Sequence, residues 1–244
     1  MKQGHVGSIF SMMDIVVAMY HGGFVRYNTS NKSFDDKVII SKGHATSALY
    51  PILRDFNLYP KKEWDNWGKE KSTLKIFGNI SIPGIDVTSG SLGHGVGVAS
   101  GIALSFLRRK KENKVFTISS EGELYEGSTW EAIMLIPSLK LNNLVLIIDN
   151  NNLQSLEKTS ITHPHLYPIE KKFESFGWYS KKCNGHNSKE IYDLIKKRDK
   201  KKPMALIAKT TKGFPVSFMK NIPMWHYKSP TKKEYIQAKK ELNK

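Results

Sequence analysis

The chain has 244 residues, 39% of them hydrophobic and 25% charged, ordinary values for a globular protein that exclude a disordered or fibrous one. Lys and Arg outnumber Asp and Glu by 38 to 22, a formal net charge of +16 that suits anionic partners such as phosphorylated metabolites, nucleic acid or an acidic protein. The single cysteine, Cys183, excludes a disulfide framework and a Cys-based zinc site, and it points to a reducing, cytoplasmic location.

In chain order, helical spacing runs from Ser11 to His21, and a strand-like apolar run follows from Lys37 to Ser41. The stretch from Pro60 to Ser89 has little periodicity and reads as an irregular excursion. A helix is then expected over His94 to Lys110, a strand over Val115 to Ser119, a helix over Gly127 to Leu139 and a strand over Leu144 to Ile148. Helices over Ile169 to Phe176 and Ser188 to Arg198 precede a last strand from Met204 to Ala208. Gly213, Pro215, Pro223 and Pro230 mark the tail as a surface loop before a final helix from Thr231. Strands alternating with helices predict an α/β fold, a mainly parallel sheet flanked by helices in three layers. No repeat or linker divides the chain, so residues 1–244 are expected to form a single domain, with 211–244 as a C-terminal loop and helix extension.

No apolar run approaches the ~20 residues of a membrane-spanning helix, and the start has no signal-peptide core, so no membrane association is expected. The Lys-rich patches at Lys196 to Lys202 and Lys232 to Lys244 read as solvated helix faces. Neither interleaves the aromatic residues of a single-strand binder, so no nucleic-acid partner is expected.

The most informative segment runs from Val115 to Gln154: strand VFTIS, SEGELYEG, helix STWEAIMLIPSLK, strand LVLIID, then NNNLQ. A right-handed βαβ crossover brings the carboxyl ends of its strands to one sheet edge, so Glu121 and the Asp149 to Asn152 run should meet there. A carboxylate, an amide oxygen and free carbonyls converging in this way suit Mg²⁺ or Ca²⁺ rather than zinc. Gly122 would let a diphosphate approach the backbone closely. Acidic and Asn residues also favour strand-to-helix turns on their own account. A second pattern, Gly95, Gly97 and Gly101 opening a helix with Glu121 beyond the next strand, suggests a dinucleotide site. No apolar strand precedes those glycines, however, and their spacing is G-x-G-x-x-x-G.

SEGELYEGSTWEA followed by LNNLVLIIDNNNLQ resembles the two halves of the thiamine diphosphate motif of transketolases. Four further blocks agree in the same order: GHVGSIFSMMDIV, SKGHATSALY, PGIDVTSGSLGHGVGVASGIAL and TKGFPVSFMKNIPMWHYKSP. Together they resemble the N-terminal subunit of a two-chain enzyme of that family. The resemblance implies a thiamine diphosphate-binding fold and a two-carbon ketol transfer between sugars or sugar phosphates. It implies Glu121, Asn151 and the carbonyl of Leu153 as ligands of the metal that grips the diphosphate, with Gly122 beside it. His44 and His226 would line cofactor phosphate and sugar, and His5 the reacting hydroxyls, where histidines near neutral pKa suit proton transfer. Gly90, Ser91, Leu92 and Gly93 would form the shelf under the cofactor rings, and Lys42 and Lys212 would meet substrate phosphate. Glu126 and Glu131 correspond to interface glutamates thought to share protons between active sites.

The sequence also departs from the family. Glu121 stands where an Asp is usual, so its arm must fold back or shift the metal by on the order of 1 Å. Ser120 replaces a glycine, with strain if that position needs positive φ, and Asn79 replaces a substrate histidine. The blocks begin almost at Met1, without the helical stretch that precedes them in the family, which suggests a truncated or abbreviated start. Nothing resembles the family's pyrimidine-binding domain, so a C-terminal transketolase-like subunit is the expected partner, in a homodimer or heterotetramer. The alternative is a degenerate, non-catalytic paralogue with an assembly or regulatory role.

Overall fold

A computed structural model describes residues 5–243. Gly4, which opens the first family block, and Lys244, which ends the Lys-rich tail, lie outside them. Five strands form one sheet: β1 (Lys37–Ile40), β2 (Val115–Ser120), β3 (Leu144–Asn150), β4 (Tyr179–Asn184) and β5 (Met204–Lys209). Their order is β1-β2-β3-β5-β4 and every pairing is parallel, which requires a crossover between each pair of consecutive strands.

The longer α-helices are α1 (Val6–Tyr20), α2 (Leu49–Asp55), α3 (Gly95–Arg108), α4 (Gly127–Ser138), α5 (Ile169–Ser175), α6 (Ser188–Lys196) and α7 (Lys232–Leu242). Alternate residues of each strand point to opposite faces, and each face is apolar. Val38, Phe116, Val145 and Leu206 join Met12, Ile15, Leu53 and Ile191 from α1, α2 and α6 in one core. Ile39, Val115, Leu146 and Ile207 join Val96, Ile133 and Phe173 from α3, α4 and α5 in the other. The three-layer arrangement expected from the sequence is therefore present, with the sheet buried on both sides.

Three differences have local causes. Strand β4 was not expected because Lys181 and Lys182 interrupt it, yet it occupies a sheet edge, where lysines are suited to blocking further pairing. Helix α1 begins at Val6 rather than Ser11, because the weak helix formers Gly7 and Ser8 are buried. A Cβ on Gly7 would sit 3.2 Å from the Lys212 side chain. The tail is more than a surface loop: Val216, Met219 and Trp225 are buried with Ala238 of α7 against Val6 and Phe10 of α1. Gly213 donates its N–H to Gly7 at 3.1 Å, so the tail is fastened to the start of α1. The stretch after Pro60 is irregular as expected, with one short helix at Lys61–Trp64. Among the described residues no helix is long and apolar enough to cross a membrane.

Candidate functional site

The register pairs Ser120 with Asp149, so the ends of β2 and β3 release Glu121 and Asn151 side by side. Glu121 is fully buried. Its carboxylate accepts the N–H of Asn151 at 3.2 Å and of Leu153 at 3.1 Å. The longer arm of Glu121 thus folds onto the amides of the following loop. The Asn151 amide oxygen also accepts from Leu153 N at 3.0 Å, and its NH₂ donates to Ser11 Oγ at 3.1 Å. Burial, and then the nearby Asp149, push the Glu121 carboxyl up to about 8. Among the described residues no three His, Cys, Asp or Glu side chains converge as a metal site. A cation here would draw on one carboxylate together with amide and carbonyl oxygens, a donor set that fits a hard divalent ion. Ser120 brings no backbone strain, because its φ is −129° and extended, and its hydroxyl accepts the N–H of Glu123 at 3.3 Å.

Two carboxylates beneath this loop organise it. Asp149 is fully buried and takes Ser11 Oγ at 2.7 Å, the Thr210 hydroxyl and the Lys42 ammonium. Lys42, expected to meet substrate phosphate, is itself 1% exposed and committed to Asp149. Glu123, which sequence reasoning did not single out, is also fully buried. It accepts Ser41 Oγ at 2.5 Å, Ser119 Oγ at 2.6 Å and the N–H of Gly93 at 2.9 Å. The available signal was its position two residues beyond Glu121, in a turn too short to expose both carboxylates.

The Gly93 contact fixes the end of the Gly90 to Gly93 shelf. Gly93 has φ +89°, and a Cβ there would lie 2.7 Å from Ser128 Oγ and 2.8 Å from Glu126 Cβ, so only glycine fits without displacement. Gly90 and Ser91 are exposed and Leu92 half-buried, leaving the shelf open on one side. A Cβ on Gly122 would meet Gln154 Cγ at 3.2 Å, so that turn has little room for a side chain. Gly97 and Gly101 face open space, unlike glycines that let a dinucleotide phosphate approach the backbone.

His5, His44 and His226 come together from three distant segments. Their ring centroids are 5.1 Å (His5 to His44), 4.9 Å (His5 to His226) and 5.5 Å (His44 to His226) apart. His5 has φ 69° at the start of α1 and donates its N–H to the carbonyl of His226 at 3.0 Å. The Nδ1 of His5 is buried without a hydrogen-bond partner, an atom suited to a bound oxygen. Near-neutral pKa values were expected for these rings. Burial first, then neighbouring cations, instead lower His44 to about 2 and His226 to about 3, and burial followed by Lys212 lowers His5. They stand as neutral donors and acceptors, and a bound anion would raise all three. Lys212 is 2% exposed, with Nζ 2.8 Å from His226 Nδ1.

Glu126 and Glu131 lie on the exposed face of the α4 region and do not join this cluster within the chain. Asn79 lies on an exposed turn, where its side chain accepts the N–H of Ser81 at 2.9 Å.

A parallel sheet whose carboxyl edge carries a buried carboxylate, a glycine-rich turn and a histidine cluster defines an α/β domain with its candidate site at that edge. The transketolase thiamine diphosphate-binding domain matches residues 1–243, and the chain belongs to the transketolase family. It is 34% identical to an apulose-4-phosphate transketolase subunit of Phocaeicola vulgatus, over 99% of this chain and 87% of that protein. It is 32% identical to a 6-deoxy-6-sulfo-D-fructose transketolase subunit of Clostridium sp., over 99% and 89%. The transketolase structure from Campylobacter jejuni superposes with a TM-score of 0.88 at 25% identity, over 99% of this chain. The chain spans 39% of the length of that transketolase.

Proposed function

We propose that the chain is the diphosphate-binding subunit of a two-chain transketolase that transfers a two-carbon ketol unit between sugars. The observation that carries this reading is the convergence of His5, His44 and His226 within 5.5 Å of one another, with a single hydrogen bond from protein to any of the three rings among the described residues. Such a cluster is prepared for oxygen atoms that the described residues do not supply. In this reading residues 1–244 act as one domain, with 211–244 as the extension that delivers Lys212 and His226.

Thiamine diphosphate, when bound, supplies a thiazolium carbanion equivalent and an electron sink. Glu121, Asn151 and the Leu153 carbonyl would hold Mg²⁺ or Ca²⁺ against its diphosphate, with Gly122 giving the phosphate access to the backbone. The shelf from Gly90 to Gly93 supports the rings, and Glu123 holds that shelf in place. His5, His44 and His226 orient the sugar hydroxyls and exchange protons with them once anions have raised their pKa values. Two relatives are named for a sugar phosphate and a sulfosugar, both anionic, and the chain's charge of +16 favours substrates of that kind. The same relatives are named as subunits, which supports a second chain carrying the pyrimidine-binding domain. In this reading Glu126 and Glu131, both exposed, would meet another protein chain.

The test is ketol transfer by the purified chain with and without its cognate second subunit, using ketose and aldose phosphates as substrates. Activity is expected only in the mixture, and only with thiamine diphosphate and a divalent ion. Turnover by the rigorously purified chain alone would overturn the split reading. A mixture that assembles but binds no cofactor would favour the non-catalytic paralogue, for which the rearranged Glu121 is the structural motive.

A further inference from the structure

We propose that Lys212 is a positioning residue that fixes the tautomer of His226, so that this ring presents Nε2–H rather than a bare nitrogen to the histidine cluster. The Lys212 Nζ lies 2.8 Å from His226 Nδ1. An ammonium has donors and no lone pair, so Nδ1 must be the acceptor, and the proton of the neutral ring resides on Nε2.

The geometry leaves little freedom to either partner. Lys212 is 2% exposed, and its Cγ would lie 3.2 Å from a Cβ on Gly7. Gly213 holds the backbone beside it through the 3.1 Å bond to the Gly7 carbonyl. The carbonyl of His226 is in turn fixed by the N–H of His5 at 3.0 Å. Among the described residues Lys212 is the single hydrogen-bond partner of the His226 ring, so none of the others selects the tautomer. A donor at Nε2 complements an anionic or hydroxyl oxygen, whereas the opposite tautomer would meet an anion with a lone pair.

Charged and titratable groups surround the pair. His226 faces Lys212, His5 and Lys42, with His44 and Tyr227 in ring contact. Burial first and then Lys42 bring Lys212 down to about 8, with Asp149 opposing the shift. The fixed tautomer should therefore be secure at neutral pH and loosen as Lys212 loses its proton.

This inference rests on the transketolase reading only for the identity of the oxygen that Nε2–H meets. Its test needs neither cofactor nor second subunit, so the two can fail separately. Long-range ¹⁵N–¹H correlation spectra of the labelled chain, with His226 assigned by His226→Gln, report which ring nitrogen carries the proton. Wild type at neutral pH should show a protonated Nε2 and a hydrogen-bonded Nδ1. Lys212→Met should give a mixture of tautomers and raise the titration midpoint of His226 by about one unit or more, whereas Lys212→Arg, which keeps donors and brings no acceptor, should retain Nε2–H. A protonated Nδ1 in wild type, or an unchanged ring in Lys212→Met, would overturn the proposal. Should both variants fail to fold, the wild-type spectrum at neutral pH decides: a protonated Nε2 with an accepting Nδ1 supports the assignment, and a protonated Nδ1 overturns it.

Discussion

Lys42 and Asp149 form an ion pair whose side chains are 2% and 0% exposed, under the loop that carries Asn151. The pair joins the turn after β1 to the end of β3, and Ser11 and Thr210 add α1 and the segment after β5 to the same carboxylate. Four segments distant in sequence therefore share one anion.

Lys42→Met should destabilise the chain by about 3–5 kcal/mol, because Asp149 is left as a buried charge with two hydroxyls for partners. Urea denaturation of the purified chain measures this. The double variant Lys42→Met, Asp149→Asn should recover part of the loss, since the uncompensated charge is gone. A single-variant loss below about 1 kcal/mol would mean that water reaches Asp149.

Glu121 sets a pH dependence of stability. Its carboxyl titrates near 8 in the folded chain against 4.5 ordinarily, so the folded state keeps a proton that the unfolded state has released. Stability should fall as pH rises between about 4.5 and about 8, with a slope of at most about 1.4 kcal/mol per pH unit, and level off above that window. In chelator, Glu121→Gln should flatten this contribution. Saturating Mg²⁺ or Ca²⁺ should reduce it in wild type, because a bound cation favours the ionised form. Parallel pH profiles for wild type and Glu121→Gln would show that the carboxyl is not held protonated.

Glu123→Ala should cost about 2–4 kcal/mol by leaving the hydroxyls of Ser41 and Ser119 and the Gly93 N–H without their shared acceptor. In the assembled enzyme the variant should raise the concentration of thiamine diphosphate needed for half-maximal activity more than that of sugar, since the shelf is what Glu123 anchors. Equal effects on both would assign Glu123 to general stability.

Gly93→Ala and Gly97→Ala should move in opposite directions. At Gly93 the added methyl meets Ser128 Oγ at 2.7 Å with φ +89°, a strain of about 1–3 kcal/mol. At Gly97, inside α3, a Cβ meets nothing within 4 Å, and alanine should stabilise the helix by about 0.5–1 kcal/mol. Thermal unfolding of the two variants separates the cases, and a stabilised Gly93→Ala would remove the argument that the shelf requires glycine.

The layers of the fold and the sheet edge that carries the site were legible in the residues alone. Short continuous apolar runs such as Leu144 to Ile148, alternating with helical spacing, read as strands buried on both faces, and a βαβ crossover has one favoured hand, so Glu121 and Asn151 were expected to meet. The family blocks also singled out His5, His44 and His226, whose rings the fold brings within 5.5 Å of one another, because residue type and order survive where spacing alone says nothing.

How the charges are used was settled only by the assembled fold. Whether Lys42 and Lys212 face solvent or lie buried depends on packing across the whole chain: Lys42 pairs with Asp149, 107 residues away, and Lys212 is enclosed by the return of the tail onto Gly7. The raised carboxyl of Glu121 and the lowered pKa values of His44 and His226 follow first from desolvation. Desolvation is a property of the assembled volume rather than of any local stretch of sequence.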